Sequence, residues 1–215
     1  MIIEEIMKTK VLSLKPENTI EDAIALMANN KIRHLPIIND EQQLIGLVTD
    51  RDIKDATPSI FYVGEHRDEL QKPLENIMKT DIITGHPLDF VEEAAALFHE
   101  HHIGCMPILK GNRLVGIITE TDLLHTLVEL TGADKPGSQI EVKVPNISGV
   151  LSEITNVIKA HKANILSILV YPDKRDDAYK ILVIRLQTMN PVSVINDLKK
   201  AGHQVLWPNL PGIQA

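Results

Sequence analysis

Apolar residues recur at helical spacing in two stretches of the chain that lie 71 positions apart (91 minus 20). The apolar faces of the two predicted helices are Ile20, Ala23, Ile24 and Met27, and Val91, Ala94, Ala95 and Phe98. Thr19, with Asp22 three residues later, predicts a capping box at the start of the first helix. A short apolar segment (residues 11–14 and 82–84) precedes each helix, and two apolar runs that predict strands follow it. The pattern therefore predicts the order strand, helix, strand, strand, helix twice.

The two stretches are copies of one unit. The tetrapeptide Ile-Met-Lys-Thr occurs at residues 6–9 and again at 77–80, and after the loss of one residue at a turn the offset becomes 70, as in Thr49 and Thr119. A unit of about 50 residues buries too little surface to be stable alone. We therefore expect the two copies to pack face to face about a pseudo-twofold axis, with clefts where they meet.

Each copy carries a Thr-x-x-Asp pair, Thr49/Asp52 and Thr119/Asp122, and its last helix is predicted to begin near the aspartate. A helix N-terminus offers unpaired N–H groups and partial positive charge to a phosphate. A carboxylate beside it can accept hydrogen bonds from both hydroxyls of a ribose. A second interpretation is that these aspartates only cap the helices. The residues alone leave both interpretations open.

Three landmarks present in both copies resemble the CBS domain. They are a proline before the first helix (Pro16 and Pro87), the tripeptides Leu35-Pro36-Ile37 and Met106-Pro107-Ile108, and the runs from Gly46 to Asp52 and from Gly116 to Asp122. The resemblance covers roughly residues 1–130, and two copies in tandem resemble the Bateman module. It implies a regulatory, non-catalytic module that binds an adenine nucleotide such as AMP, ADP or ATP between the repeats.

The resemblance also implies how two sites are assembled, since the leading segment of one repeat faces the Thr-x-x-Asp of the other. The first site would combine Thr9, Val11, Ile32, Arg33 and His34 with Thr119, Thr121 and Asp122. The second would combine Thr80, Ile82, Ile103 and Gly104 with Thr49, Arg51 and Asp52. Arg33 and His34 would give the first site phosphate-binding groups, so it is the preferred one, whereas the second depends on Arg51. An ordinary surface arginine is the other interpretation of Arg33.

Two other features invite a chemical interpretation. The run His99-Glu100-His101-His102 looks like a metal cluster, but it lacks the His-Glu-x-x-His spacing that puts two ligands on one helical face. The repeat matches it to the polar helix end at residues 28–31, which favours a solvated face. Cys105 lies beside a core strand and is interpreted as a small buried hydrophobe rather than a nucleophile.

The pattern changes after a linker at residues 131–137 that contains Gly and Pro. Alternation over 140–144 predicts a strand, and an apolar face within 149–161 predicts a helix. Two strands at 165–171 and 179–186, a helix at 192–201 and a strand at 203–207 are predicted to follow. The order βαββαβ is that of a ferredoxin-like sandwich.

The segment from Pro145 to Leu151, followed by residues 163–165, resembles the ACT domain, with Ser148 in place of the usual proline. The resemblance implies a module that senses small molecules, often amino acids, at dimer interfaces. The residues that would contact an amino acid are Asn146, Gly149, Val150 and Asn164. The other interpretation is that the asparagines are turn and cap residues, and many ACT domains only dimerise.

Composition narrows the classes of function. The net charge of −7 and the aromatic content of 3% argue against nucleic-acid binding. No apolar run approaches the roughly 20 residues that cross a bilayer, and the acidic first residues do not resemble a signal peptide. Cys105 is the only cysteine, so there is no disulfide framework and a cytoplasmic location is expected. No arrangement of catalytic residues is recognisable, and we do not expect an enzyme.

Together these patterns predict an α+β protein with CBS repeat 1 at 1–60, a connecting segment at 61–73, CBS repeat 2 at 74–130, a linker at 131–137 and an ACT domain at 138–215. This order resembles that of bacterial regulators of acetoin and butanediol catabolism. We expect a homodimer that binds a nucleotide, and at its ACT domain an amino acid, and that signals to a metabolic enzyme. The alternative is a dimerisation scaffold without a ligand.

Overall fold

A computed structural model describes residues 1–56 and 67–208 of the chain. The chain divides into two compact units, Met1–Leu124 and His125–Ala215, and each is described by itself. The last residues of CBS repeat 1 (57–60), the first part of the connecting segment (61–66) and the last residues of the ACT domain (209–215) lie outside the described residues.

The first unit contains both repeats. Repeat 1 comprises a 3-10 helix (Ile3–Glu5), α1 (Ile20–Asn30), β1 (His34–Ile38), β2 (Leu44–Thr49) and α2 (Asp50–Ala56). After the short helix α3 (Arg67–Leu70), repeat 2 comprises a 3-10 helix (Leu74–Asn76), α4 (Val91–His101), β3 (Cys105–Lys110), β4 (Arg113–Thr119) and α5 (Glu120–Thr131). The C-terminal part of α5 belongs to the second unit.

Each repeat builds its core between one antiparallel hairpin and its helices. β1 pairs with β2, and β3 pairs with β4, with a register shift at the equivalent place in both (Ile37/Ile38 and Ile108/Leu109). The strands predicted at 11–14 and 82–84 are reduced to single parallel bridges, at Leu14 and at Gly85. A proline two residues further on has no N–H to extend the ladder towards the helix, so each pairing stops at its bridge.

The apolar faces of α1 and α4 are narrower than the sequence predicts. Residues at i, i+3 and i+7 are buried, namely Ile20, Ala23 and Met27 in α1 and Val91, Ala94 and Phe98 in α4. The predictions for Ile24 and Ala95 were wrong, because these residues lie on the exposed flank of their helices. The capping box at Thr19 is confirmed, since its hydroxyl accepts from the Asp22 N–H at 3.1 Å and the Asp22 carboxylate accepts from the Thr19 N–H at 2.9 Å.

The two repeats interlock through reciprocal contacts. The backbone of Lys8 bonds both ways with Ile117 at 3.0 Å, and Lys79 does the same with Leu47 at 2.9 Å. Beside these bridges, the side chain of Met7 packs on Gly116 and that of Met78 packs on Gly46, where a Cβ atom would overlap the methionine. The leading segment of each repeat therefore lies against the last strand of the other, as the sequence predicted.

The second unit is a four-stranded antiparallel sheet with two helices. The elements are β5 (Ser138–Pro145), α6 (Val150–Ala160), β6 (Ile165–Pro172), β7 (Tyr179–Leu186), α7 (Val192–Lys200) and β8 (Gln204–Trp207), and the strand order is β6-β7-β5-β8. Its core joins the buried faces of β5 and β7 to α6 and α7. The predicted ferredoxin-like sandwich and the α+β class are confirmed.

The predicted linker is fastened to the sheet of the second unit. The Ser167 hydroxyl donates to the Thr131 carbonyl at 2.8 Å, and the Arg185 guanidinium donates to the Lys135 carbonyl at 2.8 Å. Backbone carbonyls that would otherwise lack partners are thereby satisfied. Within residues 1–56 and 67–208, no helix has the length and apolar character needed to cross a membrane.

Candidate ligand-binding site

The Thr-x-x-Asp pairs form capping boxes at the starts of α2 and α5. The hydroxyl of Thr49 donates to Asp52 Oδ2 at 2.6 Å, and that of Thr119 donates to Asp122 Oδ2 at 2.6 Å. The backbone N–H of each threonine donates to the same carboxylate oxygen, at 2.8 and 2.9 Å. The helices therefore begin at Asp50 and Glu120, two residues earlier than predicted, and the aspartates occupy the third helical position.

The other oxygen of each aspartate binds a lysine from the opposite repeat. Lys8 Nζ lies 2.8 Å from Asp122 Oδ1, and Lys79 Nζ lies 2.9 Å from Asp52 Oδ1. Burial raises the pKa of both carboxyl groups, but hydrogen bonds from the lysine and the threonine together outweigh it, so each pKa lies below its ordinary value. Both aspartates are therefore ionised at neutral pH. The capping interpretation is what the contacts establish, and a contact with ribose stays a prediction.

A cavity of about 280 Å³ brings together six of the eight residues predicted for the first site. They are Val11, Ile32, Arg33, His34, Thr119 and Thr121. Thr9 and Asp122 are outside its wall, although Lys8 and Thr119, which hold the Asp122 carboxylate, are part of it. Sequence reasoning missed four charged residues of this wall, Lys8, Lys10, Lys31 and Glu120.

A second cavity, of about 500 Å³, brings together five of the seven residues predicted for the other site. They are Thr49, Arg51, Ile82, Ile103 and Gly104. Thr80 and Asp52 are outside its wall. The wall also contains residues that were not predicted there, including Arg33, His34, Asp50, Lys79, Asp81, His102 and Glu120. Ligand clefts typically measure about 300–1,000 Å³, so both cavities have a size that suits a small molecule.

The two cavities differ in charge. Four cations and one anion line the smaller cavity, namely Lys8, Lys10, Lys31, Arg33 and Glu120. Three cations and three anions line the larger one, namely Arg33, Arg51, Lys79, Asp50, Asp81 and Glu120. The repeat explains the difference, because the positions equivalent to Lys10, Lys31 and Arg33 are held by Asp81, His102 and Gly104. The smaller cavity is thus the one suited to an anion.

His34 and Cys105 occupy equivalent positions before the two prolines and differ in chemistry. Burial lowers the pKa of His34, and the charge of Arg33 lowers it further, so its imidazole is mainly neutral at pH 7. Burial raises the pKa of Cys105 to about 12, so its thiol stays protonated and unreactive. Cys105 is buried among apolar residues, as the sequence predicted.

A repeat signal for Lys8 and Lys79 was present in the sequence, since both stand in the Ile-Met-Lys-Thr tetrapeptide. Their partners are 114 and 27 residues away (122 minus 8 and 79 minus 52), and no local pattern indicates those pairings. For Lys10 and Lys31 the repeat carries no signal, because their counterparts differ.

The residues predicted for an amino-acid site lie around the start of α6. Gly149 has φ +92°, which favours glycine, and it precedes Val150, the buried first residue of the helix. The Asn146 amide donates to the Asp177 carbonyl at 3.5 Å, and the Asn164 amide donates to the Gln187 side chain at 3.3 Å. Both asparagines hold loops in place, which is the turn interpretation, and their contact with a ligand stays a prediction.

No group of three histidine, cysteine, aspartate or glutamate residues within 1–56 and 67–208 is arranged to hold a metal ion. In the run His99-Glu100-His101-His102, the rings of His99 and His102 meet edge to face with centroids 6.5 Å apart. His101 and His102 also line the larger cavity, so this end of α4 is part of its wall.

Comparison with known families agrees with this architecture. The profile of the CBS domain matches residues 3–59 and 74–129, and that of the ACT domain matches residues 138–203. The chain therefore belongs to the CBS-domain family and carries an ACT domain after its CBS pair.

Three similar proteins share the CBS pair. A CBS domain-containing protein of Dictyostelium discoideum is 30% identical over 143 residues, which are 64% of this chain and 99% of that protein. A Vibrio cholerae protein that is provisionally assigned as an acetoin utilization protein (AcuB) is 31% identical in sequence. Its crystal structure superposes with a TM-score of 0.54, and the match covers 63% of this chain and 98% of the Vibrio protein. The CBS pair of protein MJ0100, crystallised with 5′-methylthioadenosine and S-adenosyl-L-methionine, is 24% identical with a TM-score of 0.52, and covers 63% of this chain and 98% of that one.

Proposed function

We propose that this chain is a non-catalytic sensor that binds an adenine nucleotide in the clefts of its CBS pair. The observation that carries the proposal is the smaller cavity, in which apolar residues adjoin four cations and the start of α5. Such a combination suits a ligand with a flat apolar base at one end and phosphates at the other. The complex of the MJ0100 CBS pair with two adenosine derivatives supports the choice of adenine.

Six of the residues predicted for the first site have a proposed role. Val11 and Ile32 would pack against the base, since they are the apolar residues of the predicted set. Arg33 would bind the phosphates, because its guanidinium can form two parallel hydrogen bonds with them. Thr121, beside the N-terminus of α5, would donate to ribose or phosphate oxygens, and Thr119, whose hydroxyl donates to Asp122, would offer its hydroxyl oxygen as an acceptor. Asp122 lies outside the wall of the cavity, and it is proposed to accept from a ribose that reaches its carboxylate beside Thr119.

The larger cavity is proposed as a second adenine site with a weaker preference for phosphate. Its charges balance. Of its cations, Arg33 also lines the smaller cavity and Lys79 pairs with Asp52, whereas Arg51 lines only the larger cavity and forms no ion pair with any residue that the structure describes. Ile82 and Ile103 would provide its apolar surface, and Thr49 a hydroxyl.

The wider role belongs to the same proposal. We propose a regulator of acetoin and butanediol catabolism that acts on a metabolic enzyme, and the similarity to the Vibrio cholerae protein supports the link to acetoin. The ACT domain is proposed to bind an amino acid at Asn146, Gly149, Val150 and Asn164. A homodimer is proposed because the edge strand β6 exposes three consecutive large residues, Leu169, Val170 and Tyr171.

A dimerisation scaffold without a ligand is the second candidate, and the exposed residues of β6 are equally consistent with it. Thermal unfolding of the full chain with AMP, ADP, ATP, adenosine and a panel of amino acids separates the two. The sensor is expected to gain stability with an adenine compound at concentrations above its Kd. No change with any of these compounds would favour the scaffold.

Calorimetry on matched variants then tests the site. Asp122→Ala and Asp52→Ala remove the same capping box and the same kind of lysine pair, so they should lower stability alike. Asp122→Ala alone should weaken ATP binding at the smaller cavity about tenfold or more, since a hydrogen bond to a charged group contributes about 1.5–3 kcal/mol. An ATP affinity of the smaller cavity that is unchanged in Asp122→Ala would remove Asp122 from the site.

A further inference from the structure

The walls of the two cavities overlap. Four residues border both of them, namely Arg33, His34, Gly104 and Glu120. Arg33 and Gly104 are equivalent positions of the two repeats, and their carbonyls accept equivalent hydrogen bonds, from the Asp50 N–H at 3.0 Å and from the Glu120 N–H at 3.3 Å. The overlap therefore lies where the repeats meet, and we call these four residues the shared corner.

The shared corner holds one guanidinium for two cavities. A symmetric pair would have an arginine at both equivalent positions, and each cavity could then have its own. Here repeat 2 has Gly104 instead, and the His34 ring lies over it, because a Cβ on Gly104 would be only 2.9 Å from His34 Nε2. His34 is mainly neutral and contributes no full charge. Arg33 is thus the one cation of the shared corner.

The Arg33 side chain is not held by a partner in either cavity wall among the described residues. Within the described residues it forms no ion pair or side-chain hydrogen bond. Its exposed side chain can therefore turn towards a phosphate in either cavity. A guanidinium that binds one phosphate through two parallel hydrogen bonds turns its planar fork towards that phosphate, and a second phosphate in the other cleft would have to share the same single positive charge.

We propose that the two clefts compete for Arg33, so that an anionic ligand in one cleft weakens the binding of a second anionic ligand in the other. This inference rests on the proposed function, because it takes both clefts to be adenine sites. Uncharged adenosine does not need the guanidinium and fills both clefts independently. The CBS pair then binds a second polyphosphate more weakly than the first, whereas an uncharged nucleoside can join a bound polyphosphate without that loss.

Two methyl groups report on the clefts separately. Val11 lines only the smaller cavity, and Ile82 lines only the larger one. Methyl NMR on the full chain, titrated with ATP or with adenosine, follows each probe. We expect ATP to shift the Val11 and Ile82 signals in two steps, at midpoint concentrations at least tenfold apart. Adenosine should shift the two signals at midpoint concentrations that differ less and that do not depend on whether the other cleft is filled.

Arg33→Ala distinguishes sharing of the guanidinium from simple repulsion between two anions. Sharing predicts that the variant binds ATP more weakly in both clefts and that filling one cleft no longer affects the other. Repulsion predicts that the dependence persists or grows. Arg51→Ala is the matched control, because Arg51 lines only the larger cavity, and it should weaken ATP at the Ile82 probe alone.

The outcomes separate this inference from the proposed function. Two ATP molecules that bind the wild type independently would overturn the shared corner and leave the adenine sensor intact. Adenosine that fills only one cleft would also overturn it, because the exclusion would then not depend on charge. If neither compound shifts either probe, the proposed function fails, and the shared corner fails with it.

Discussion

Repeat 1 has Arg33 and His34 before its Pro36, whereas repeat 2 has Gly104 and Cys105 before its Pro107. Elsewhere the repeats agree closely: each has a Thr-x-x-Asp capping box, and each aspartate binds a lysine from the other repeat at 2.8 or 2.9 Å. The framework of the pair has thus stayed symmetric while the cleft walls have diverged. A duplicated scaffold can therefore provide two equivalent clefts that differ in volume and in charge.

The symmetry of the framework is tested most strongly at Gly46 and Gly116. Alanine at either position would place a Cβ against the methionine of the other repeat, Met78 or Met7. Overpacking of this kind costs about 1–3 kcal/mol, so both variants should be destabilised by that amount. Urea unfolding of the two variants is the measurement. A large effect at only one glycine would show that the interlock is not symmetric.

The capping boxes give a somewhat smaller effect. Loss of a side-chain cap costs about 0.5–2 kcal/mol, and we expect Asp52→Ala and Asp122→Ala to fall in that range at pH 7. Both pKa values are lowered in the folded state, so the aspartates stabilise the fold above the unfolded pKa of about 3.9. That stabilisation is lost as the pH falls through the folded pKa. Unfolding at pH 7 and pH 3 should show the deficit of each variant shrinking in acid, and a deficit that is constant with pH would contradict the ionised role.

We expect the smallest effect on stability at His34, where the pH dependence should differ between the two repeats. Its folded pKa lies below the ordinary 6.5 because of burial and Arg33, while Asp50, Glu120 and Asp52 act in the opposite direction. The unfolded chain therefore takes up the proton first, and stability falls as the pH drops from 6.5 towards the folded pKa. Relative to wild type, His34→Gln should lose less stability between pH 7.5 and 5.5, as measured by urea midpoints. The equivalent Cys105, with a pKa of about 12, should show no such dependence when replaced by Ser.

The repeat and the hydrophobic periodicity were enough to predict the fold. The Ile-Met-Lys-Thr tetrapeptide fixed the register of the two copies, and the βαββαβ order after residue 138 predicted the sandwich. The strand predicted before Pro16 is reduced to one bridge at Leu14, and the missing N–H of Pro16 keeps the ladder from continuing towards α1. A local sequence pattern predicts a helix or strand correctly when the interactions that stabilise that element are themselves local.

The site was predicted in part. Repeat alignment and resemblance placed Val11, Arg33 and Thr119 in one cleft, and the structure brings them together. The pairing of Lys8 with Asp122 could not be predicted, since it joins residues distant in sequence that only the packed pair brings close. The overlap of the two cavities at Arg33 could not be predicted either. It depends on where the two cavity walls meet, and the residue types in each wall do not show this.

The role of Arg33 is tested most directly by titrating the full chain calorimetrically with ATP and with adenosine, in wild type and in Arg33→Ala. The account predicts that the variant loses about tenfold or more in affinity for ATP, since a charge-assisted contact contributes about 1.5–3 kcal/mol, while adenosine affinity changes by less than about twofold. Equal losses for the two ligands, or an unchanged ATP affinity, would contradict the assignment of Arg33 to phosphate.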